Sequence, residues 1–307
     1  MTEPILEVTN LVKVYGSSRV VDGISFSVPR GKIVGFLGPN GAGKTTTIHM
    51  LLGITSPTVG SISFFGKDFF KHKQAILQRI NFASAFNTLQ GRITVRENLV
   101  VFAQLYGIKN PKKKIAEFIS YFEIEEILTQ RYMDLSAGQK TRVNIIKALL
   151  NDPEIILMDE PTASLDPDIA DKTLSYIEQL KKERNLTLLY TSHNMNEITR
   201  ICDEVIFLDH GKIVAHDTPL GLTRLIKETE LRLVISHGAE LLEKYLREQT
   251  YTFSFHDKTR VSITVEEKQV PQLLFALSKQ GIEITDIEIN KPTLEDVFLH
   301  IARGGNA

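Results

Sequence analysis

The sequence predicts an α/β fold, in which a mostly parallel sheet with helices is followed by a smaller α+β unit. The short, mostly apolar segment Lys32–Leu37 leads through a glycine-rich loop into a helical segment at 46–52, the strand–loop–helix order of a parallel sheet. A second apolar run, Ile155–Met158, ends in two acidic residues, as a buried parallel strand does. Residues 231–289 instead follow the order β-α-β-β-α-β, which is that of a ferredoxin-like fold.

Length and composition fit a globular protein of two domains. The chain has 307 residues, of which 42% are hydrophobic and 24% charged. The net charge of −1 gives no electrostatic case for nucleic acid or an anionic membrane, so we expect no nucleic-acid partner. The single cysteine, Cys202, excludes an internal disulfide and is typical of a reducing cytosol. No apolar run approaches the roughly 20 residues of a membrane helix, and the first residues lack a signal-peptide pattern.

The beginning of the chain predicts an antiparallel layer. Residues 5–8 and 11–15 are short runs of strand-forming residues, and Val20–Val28 alternates between apolar and polar side chains. Further on, 60–66 predicts another strand and 69–77 a short helix. This layer is expected to feed the parallel core through the turn that follows Val28.

The loop Gly38–Thr46 reads GPNGAGKTT and fits the pattern G-x-x-x-x-G-K-[ST], which predicts a phosphate-binding loop. Glycines allow backbone N–H groups to surround phosphate oxygens, and the helix N-terminus and Lys44 add positive charge. Thr45 is placed to bind Mg²⁺. Tyr15 precedes the loop; its ring either stacks on an adenine base or is a half-buried strand tyrosine, and position alone favours neither. The nucleotide-binding residues expected in the loop are Gly38, Pro39, Asn40, Gly41, Ala42, Gly43, Lys44, Thr45 and Thr46.

The stretch from about 90 to 150 predicts mostly helices. Thr94 and Glu97 form a capping-box pattern, which begins one helix. Pro111 opens a second helix, and the Lys112–Lys114 run near its start favours a solvated helix end over a nucleic-acid site.

The segment Leu135–Gln139 allows two interpretations. Ser136 is a good N-cap for a helix that runs to Leu150. Alternatively, the start of this helix binds an anion, with the Ser136 hydroxyl and the Gly138 N–H donating to phosphate. Both interpretations stay open on the residues alone.

Acidic and imidazole side chains follow two of the expected strands. Asp159 and Glu160 come directly after the run Ile155–Met158, and ligands of parallel sheets bind beyond the carboxyl ends of the strands. Asp159 is therefore expected to face the Mg²⁺ of the phosphate loop, and Glu160 to polarise a water molecule. His193 follows an expected strand at 186–190, where it is placed to contact a γ-phosphate. The other histidines show no metal-ligand spacing.

The C-terminal part of the chain has a different character. A helix at 220–227 is expected to lead out of the first domain. The unit that follows carries no glycine cradle, metal-ligand cluster or pair of strand-end acids, so we interpret it as a docking or regulatory module. Thr293 is the expected N-cap of a last helix. The predicted domains are 1–225, with one nucleotide site, and 226–307.

Together these motifs make residues 1 to about 225 resemble the ATPase subunit of an ABC transporter. In the family's order, Gly38–Thr45 looks like Walker A and Leu135–Gln139 (LSAGQ) like the LSGGQ signature. The strand ending at Asp159, with Glu160, looks like Walker B and its catalytic glutamate. Ser164–Asp166 looks like the D-loop, His193 like the switch histidine, and Tyr15 takes the place of the adenine-stacking aromatic residue. The tail Pro292–Phe298 resembles the C-terminal extension of ABC-2-type exporter ATPases.

The resemblance implies a P-loop NTPase fold, with an ABC-type nucleotide-binding domain made of an antiparallel β layer, a parallel core and a helical subdomain at about 90–150. It also implies a head-to-tail dimer, formed with an identical or a second ATPase subunit, that encloses two ATP molecules. Closure of the dimer would drive a separately encoded transmembrane permease. The chain would then lie on the cytoplasmic face of the inner or plasma membrane, and the C-terminal extension favours export.

The resemblance also assigns roles to residues. Lys44 and the loop amides would hold the β- and γ-phosphates, and Thr45 with Asp159 would hold Mg²⁺. Glu160 would act as general base or orient the attacking water, and His193 would steady the γ-phosphate. Across the dimer, the residues that reach the nucleotide of the other subunit would be Ser136, Gly138 and Gln139.

The sequence departs from the family pattern at two positions. Ala137 replaces the first glycine of the signature, and Ala85 aligns where the family has the glutamine of its Q-loop. Asn87 or Gln90 are the candidates to substitute for that glutamine. Two alternatives to a transporter ATPase therefore remain: a non-transport ABC protein acting on ribosomes or DNA, and a weakly active, regulatory ATPase.

Overall fold

The computed structural model describes residues 4–84, 88–163 and 165–302. The chain divides into two compact units, Met1–Pro219 and Leu220–Ala307, so the division falls six residues before the expected end of the first domain at residue 225. Among the described residues, no helix combines the length and the apolar character needed to cross a bilayer.

The first unit alternates strands and helices after an initial pair of long strands. Its elements in chain order are β1 (Pro4–Tyr15), β2 (Ser18–Pro29), β3 (Ile33–Leu37), α1 (Lys44–Leu51), β4 (Val59–Phe64), β5 (Lys67–Asp68), α2 (Lys73–Leu77), β6 (Ile80–Ser84), α3 (Val95–Leu105), α4 (Pro111–Tyr121), α5 (Ala137–Leu149), β7 (Ile155–Asp159), α6 (Pro167–Arg184), β8 (Thr187–Thr191), α7 (Met195–Ile201), β9 (Glu204–Asp209) and β10 (Lys212–Asp217).

Two sheets organise this unit. The antiparallel sheet has the order β2-β1-β4-β5, and the other sheet has the order β10-β9-β3-β8-β7-β6. In the second sheet all neighbours are parallel except the hairpin of β9 and β10. Every residue of β3 and β8 is buried, and neither strand alternates between apolar and polar side chains, as expected for strands covered on both faces. The carboxyl ends of β3, β8 and β7 therefore meet at one edge of the sheet.

The antiparallel layer differs in detail from its prediction. The runs at 5–8 and 11–15 belong to one strand, β1, whose pairing with β2 shifts register around Asn10. Asn10 has a φ of 47°, a left-handed conformation that asparagine tolerates, so the strand continues past the bulge. The helix predicted at 69–77 is confined to Lys73–Leu77.

The stretch from 90 to 150 is helical, as expected. The capping box of α3 is confirmed, because the Thr94 hydroxyl accepts from the Glu97 N–H at 3.2 Å and the Glu97 carboxylate accepts from the Thr94 N–H at 2.7 Å. Pro111 is the first residue of α4, where its missing N–H costs no helical hydrogen bond.

The second unit contains one antiparallel sheet of four strands, β11 (Glu228–His237), β12 (Thr252–Phe255), β13 (Arg260–Glu266) and β14 (Glu283–Asn290), in the order β12-β13-β11-β14. Leu231, Leu233 and Ile235 on the central strand pack with Leu242 and Leu277 of the two long helices in one buried cluster. This arrangement is the ferredoxin-like one that the order of elements predicts. The helices of this unit are α9 (Ala239–Glu248), α10 (Val270–Lys279) and α11 (Leu294–Ala302), and the short helix α8 (Pro219–Thr223) begins at the last residue of the first unit.

Candidate functional site

The phosphate loop joins β3 to α1, and two of its glycines are required by close backbone approaches. A Cβ on Gly38 would lie 2.2 Å from the Leu208 carbonyl oxygen, and one on Gly43 would lie 2.7 Å from the Val20 carbonyl oxygen. Gly43 also has a φ of 101°, which side chains rarely adopt. The loop is therefore packed tightly between β2 of the antiparallel sheet and the end of β9.

Lys44 is buried at the start of α1. Its Nζ donates to the Gly38 carbonyl at 2.6 Å and to the Pro39 carbonyl at 3.1 Å. Burial lowers the pKa of Lys44, while the carboxylates of Glu160 and Asp159 oppose this shift. The lysine and the two strand-end acids, which lie far apart in the sequence, therefore share one electrostatic environment at the edge of the sheet.

Thr191, a residue that the sequence analysis did not single out, holds both acidic residues in place. Its hydroxyl donates to Asp159 Oδ1 at 2.6 Å, and its hydroxyl and carbonyl oxygens each lie 3.1 Å from the Glu160 N–H. Thr191 is completely buried at the end of β8, which lies between β3 and β7. The only signal in the sequence is a hydroxyl residue at the end of an apolar strand, next to Ser192-His193.

Glu160 and His193 form a direct pair. His193 Nε2 lies 2.6 Å from Glu160 Oε1, a hydrogen-bond distance for an imidazole N–H and a carboxylate. The side chain of His193 is 47% exposed and that of Glu160 is 19% exposed. Glu160 has a φ of 50°, an unusual value for this residue type, so the backbone turns sharply after β7. The turn and the Thr191 contacts together aim the carboxylate at His193.

The residues expected to bind Mg²⁺ have suitable chemistry. Thr45 is exposed at the beginning of α1, and Asp159 presents a carboxylate at the end of β7. Hydroxyl and carboxylate oxygens are the ligands that Mg²⁺ prefers, and it commonly completes its shell with substrate phosphates and water. Within the described part of the chain, no cluster of three or more His, Cys, Asp or Glu side chains could hold a metal alone.

The signature segment begins α5 and forms its own capping box. The Ser136 hydroxyl accepts from the Gln139 N–H at 3.3 Å, and Gln139 Oε1 accepts from the Ser136 N–H at 2.9 Å. Gly138 packs on α6: a Cβ there would lie 2.6 Å from Ile169 Cγ2. Among the described residues, no hydrogen bond joins Ser136 or Gln139 to the phosphate loop. Within one chain, the capping interpretation of Ser136 is therefore confirmed.

Tyr15 lies on the antiparallel sheet with 49% of its surface exposed. The Nζ of Lys13 lies 4.8 Å from the centre of its ring and also donates to the Ser56 carbonyl at 2.8 Å. The ring is therefore available for stacking, with a cation already positioned over it.

The Q-loop position lies partly outside the described residues, since Ala85, Phe86 and Asn87 are among those not described, as is Ser164 of the D-loop. Gln90 is exposed, and its Oε1 lies 3.5 Å from the Arg92 N–H.

Lys147 of α5 lies beside the strand that leads to the Q-loop. Its Nζ donates to the Phe82 carbonyl at 3.0 Å, and burial lowers its pKa to about 8. No carboxylate among the described residues forms an ion pair with it. It lines a cavity of about 240 Å³ with Phe82, Ala83, Thr88, Leu89, Phe102 and Asn144.

A phosphate loop after β3, acids at the end of β7 on the far side of β8, and a mostly parallel sheet in the same unit as an antiparallel one define a nucleotide-binding domain of the P-loop class. Residues 21–163 match the family model described as ABC transporter, and residues 222–302 match that of the C-terminal domain of DrrA1-3-like ATP-binding proteins.

Whole-chain relatives agree with both matches. The chain is 34% identical to the bacitracin transport ATP-binding protein BcrA of Bacillus licheniformis over 304 residues, covering 98% of each chain. It is 31% identical to Nod factor export ATP-binding protein I of Rhizobium sp. (strain N33) over 303 residues, again covering 98% of each. A solved structure of an ATP-binding subunit of an ABC transporter matches 72% of this chain and 92% of its own, with a TM-score of 0.66 and 28% identity. The protein belongs to the ATP-binding subunits of ABC transporters.

Proposed function

We propose that this chain hydrolyses ATP and thereby drives export through a separate transmembrane permease. The observation that carries the proposal is the Glu160–His193 pair, held at 2.6 Å at the same sheet edge as Lys44 and the phosphate loop. The relatives named for bacitracin transport and Nod factor export support the coupling to transport. They also disfavour an ABC protein that acts on ribosomes or DNA.

Each residue at this edge of the sheet has its own role in the proposed hydrolysis. The loop amides and Lys44 hold the β- and γ-phosphates, so the amine of Lys44 exchanges its two carbonyl partners for phosphate oxygens. Glu160 accepts a proton from the water that attacks the γ-phosphorus, the bond to the β-phosphate oxygen breaks, and ADP and phosphate are the products. His193 lies against the Glu160 carboxylate and, once ATP is bound, donates its ring N–H to the γ-phosphate. Positioning and charge stabilisation supply most of the rate.

Thr45 and Asp159 are the chain's proposed ligands for Mg²⁺, which would neutralise charge on the phosphate oxygens. The Thr191 hydroxyl fixes one oxygen of Asp159, which leaves the other free to bind the metal. Tyr15 is proposed to stack on the adenine base.

We infer that the active form is a head-to-tail dimer, with Ser136, Gly138 and Gln139 acting on the nucleotide of the other copy. The capping box does not compete with this role. A hydroxyl has one proton and two acceptor lone pairs, and the cap uses only an acceptor, so the Ser136 proton remains available to a phosphate oxygen. The dimer is proposed to work on the cytoplasmic face of the membrane that holds the permease.

The first experiment replaces the proposed base. Glu160→Gln keeps the size of the side chain but cannot accept a proton, so we expect ATP hydrolysis to fall at least about 100-fold while ATP binding is retained and dimers accumulate. The matched control is Glu183→Gln, because Glu183 is exposed on α6 and bonds only to Gln179 among the described residues. Hydrolysis by Glu160→Gln equal to that of the control would refute the role of Glu160.

The second experiment identifies the partner. A tagged chain expressed in its own host is expected to co-purify with an integral membrane protein of about six spans, each roughly 20 residues long. Co-sedimentation with ribosomes or DNA instead would contradict the transport proposal. Turnover measured with and without the membrane partner tests the third alternative: a rate that stays negligible with the partner present would indicate a regulatory ATPase.

A further inference from the structure

Glu197 of α7 is a buried carboxylate that none of the motifs above includes. It is 6% exposed, and three hydroxyl groups donate to its Oε2 atom. The distances are 2.7 Å from Thr162 Oγ1, 2.9 Å from the Tyr190 hydroxyl and 2.8 Å from Ser192 Oγ. No cation among the described residues forms an ion pair with it. We call Thr162, Tyr190, Ser192 and Glu197 the hydroxyl cluster.

The hydroxyl cluster joins the two segments that carry the Glu160–His193 pair. Thr162 lies two residues after Glu160, and Ser192 directly precedes His193. Glu197 belongs to a third element, α7, and binds both segments through one oxygen atom. Glu160, Thr162, Ser192, His193 and Glu197 all line one cavity of about 440 Å³.

The three donors compensate for the burial of a charge. A buried carboxylate without partners is strongly unfavourable, whereas hydrogen bonds to a charged acceptor are roughly twice as strong as neutral ones. Burial and the adjacent Glu197 carboxylate raise the pKa of Tyr190 well above its ordinary value, so its hydroxyl keeps the proton that it donates. Ser192 Oγ in turn accepts from the Asn194 N–H at 3.0 Å, which fixes the backbone on the other side of His193.

We propose that Glu197 is a positioning residue for hydrolysis: it holds the segment after β7 and the segment after β8 at the separation that keeps Glu160 and His193 in contact. This inference rests on the proposed function, because it assigns a purpose to the geometry of the same site. Among the described residues, no hydrogen bond or ion pair joins Glu197 to the phosphate loop, to Glu160 or to His193, so we expect its loss to slow turnover without weakening ATP binding.

The test compares two substitutions of Glu197. In Glu197→Gln the amide oxygen can accept from the same three hydroxyl groups, so we expect kcat within about threefold of wild type. In Glu197→Ala all three bonds are lost, and a displacement near 1 Å at a catalytic pair lowers the rate by about 10- to 100-fold. KM for ATP is expected to change less than about threefold in both. If Glu197 served folding alone, Glu197→Ala would not lower kcat while leaving KM for ATP unchanged, and Glu197→Gln would not keep a kcat near that of wild type.

Glu178→Ala is the matched control, because Glu178 of α6 also anchors α7, through Arg200 at 2.8 Å, but on an exposed face and without contacting the segments after β7 and β8 in any hydrogen bond among the described residues. Its kcat is expected to equal that of wild type. A Glu197→Ala enzyme with wild-type kcat would overturn the proposal, as would an equal loss in Glu178→Ala.

Two further variants cover the case in which Glu197→Ala does not fold. Thr162→Val and Ser192→Ala each remove one donor, and each is expected to lower kcat about two- to fivefold, with the double variant losing less than the product of the two. Unchanged kcat in both would overturn the proposal. Failure of the proposed function is distinguishable, because then wild type and Glu160→Gln would hydrolyse ATP equally, whatever Glu197 does.

Discussion

The helices α1 and α5 both begin in a glycine-containing motif, yet their N-termini are built in opposite ways. The first turn of α1 has no side-chain cap. Gly43 precedes it in a left-handed conformation and belongs to the tightly packed phosphate loop. The first turn of α5 is closed by a reciprocal pair of hydrogen bonds between Ser136 and Gln139. No side chain accepts from the first N–H groups of α1, which are therefore open to an anion, whereas the Gln139 N–H in the first turn of α5 already donates to the Ser136 cap.

The two helices also differ in the surroundings of their buried lysines, Lys44 in α1 and Lys147 in α5. Lys44 lies near two carboxylates that oppose the effect of burial on its pKa, whereas only burial acts on Lys147. Lys44 is therefore electrostatically part of the sheet edge that carries the strand-end acids, whereas the pKa of Lys147 reflects burial alone. Four predictions test this contrast, from the largest expected effect to the smallest.

The largest effect is expected where the uncapped helix meets phosphate. Lys44→Ala removes the only side-chain cation of the loop, so hydrolysis should fall about 100-fold or more and ATP binding should weaken. Lys172→Ala, which removes an exposed lysine on α6, is the control and should behave as wild type. Steady-state hydrolysis and nucleotide titration measure both. Unchanged ATP binding in Lys44→Ala would mean that the loop does not hold phosphate.

The second prediction separates capping from catalysis. Ser136→Ala and Thr94→Ala each remove the hydroxyl of a capping box, so each should destabilise the protein by about 1 kcal/mol in chemical denaturation. If Ser136 also acts on the nucleotide of a second copy, only Ser136→Ala should lower hydrolysis, by about 10-fold or more. Equal rates of hydrolysis by the two variants would show that Ser136 acts only as a helix cap and not on the nucleotide of a second copy.

The third prediction concerns the packing of the signature helix. Gly138→Ala places a methyl group against Ile169 at 2.6 Å, so it should destabilise the protein by about 1–3 kcal/mol. Ile169→Ala provides the space, and the double variant should recover part of that loss in a double-mutant cycle of unfolding free energies. Additive losses would show that α5 and α6 do not constrain each other at this point.

The smallest effect should come from the proton of Lys147. Its pKa in the folded chain, about 8, is below the ordinary value, so the unfolded chain binds more protons between pH 8 and 10. The free energy of unfolding therefore rises with pH in that window, by about 1 kcal/mol per pH unit for this residue. Lys147→Met should lack this part of the rise. Denaturation curves at pH 8 and pH 10 measure the difference, and equal slopes for both proteins would contradict it.

The sequence predicted most elements because their signals are local. The glycine spacing of the phosphate loop, the capping box at Thr94 and the apolar run before Asp159 each depend on a few neighbouring residues. Helix α7 was missed: it has seven residues and its first turn has no distinctive pattern beyond Asn194, which proves to be its N-cap. The register shift in β1 was also missed, because a single asparagine interrupts the strand without ending it.

The candidate site was predictable only in part. Glycine spacing and strand-end acids identify the groups with charge, but Thr191 and Glu197 act through contacts with residues that are distant in the chain. A threonine at the end of an apolar strand and a glutamate within a short helix look ordinary in the sequence, because the contacts that distinguish them are made with Asp159 and Thr162, which lie more than 30 residues away. The pairing of Glu160 with His193 likewise depends on β7 and β8 being neighbours.

Cys202 has a practical consequence for experiments on this chain. It is the single cysteine, it is 8% exposed, and its sulfur lies against Gly35. Burial raises the pKa of its thiol well above the ordinary value, so almost no reactive thiolate forms at neutral pH. A cysteine introduced at the exposed Met133, just before the signature segment, would be the one position that a maleimide dye labels readily. Fluorescence energy transfer between two copies could then follow their approach without first removing a native cysteine.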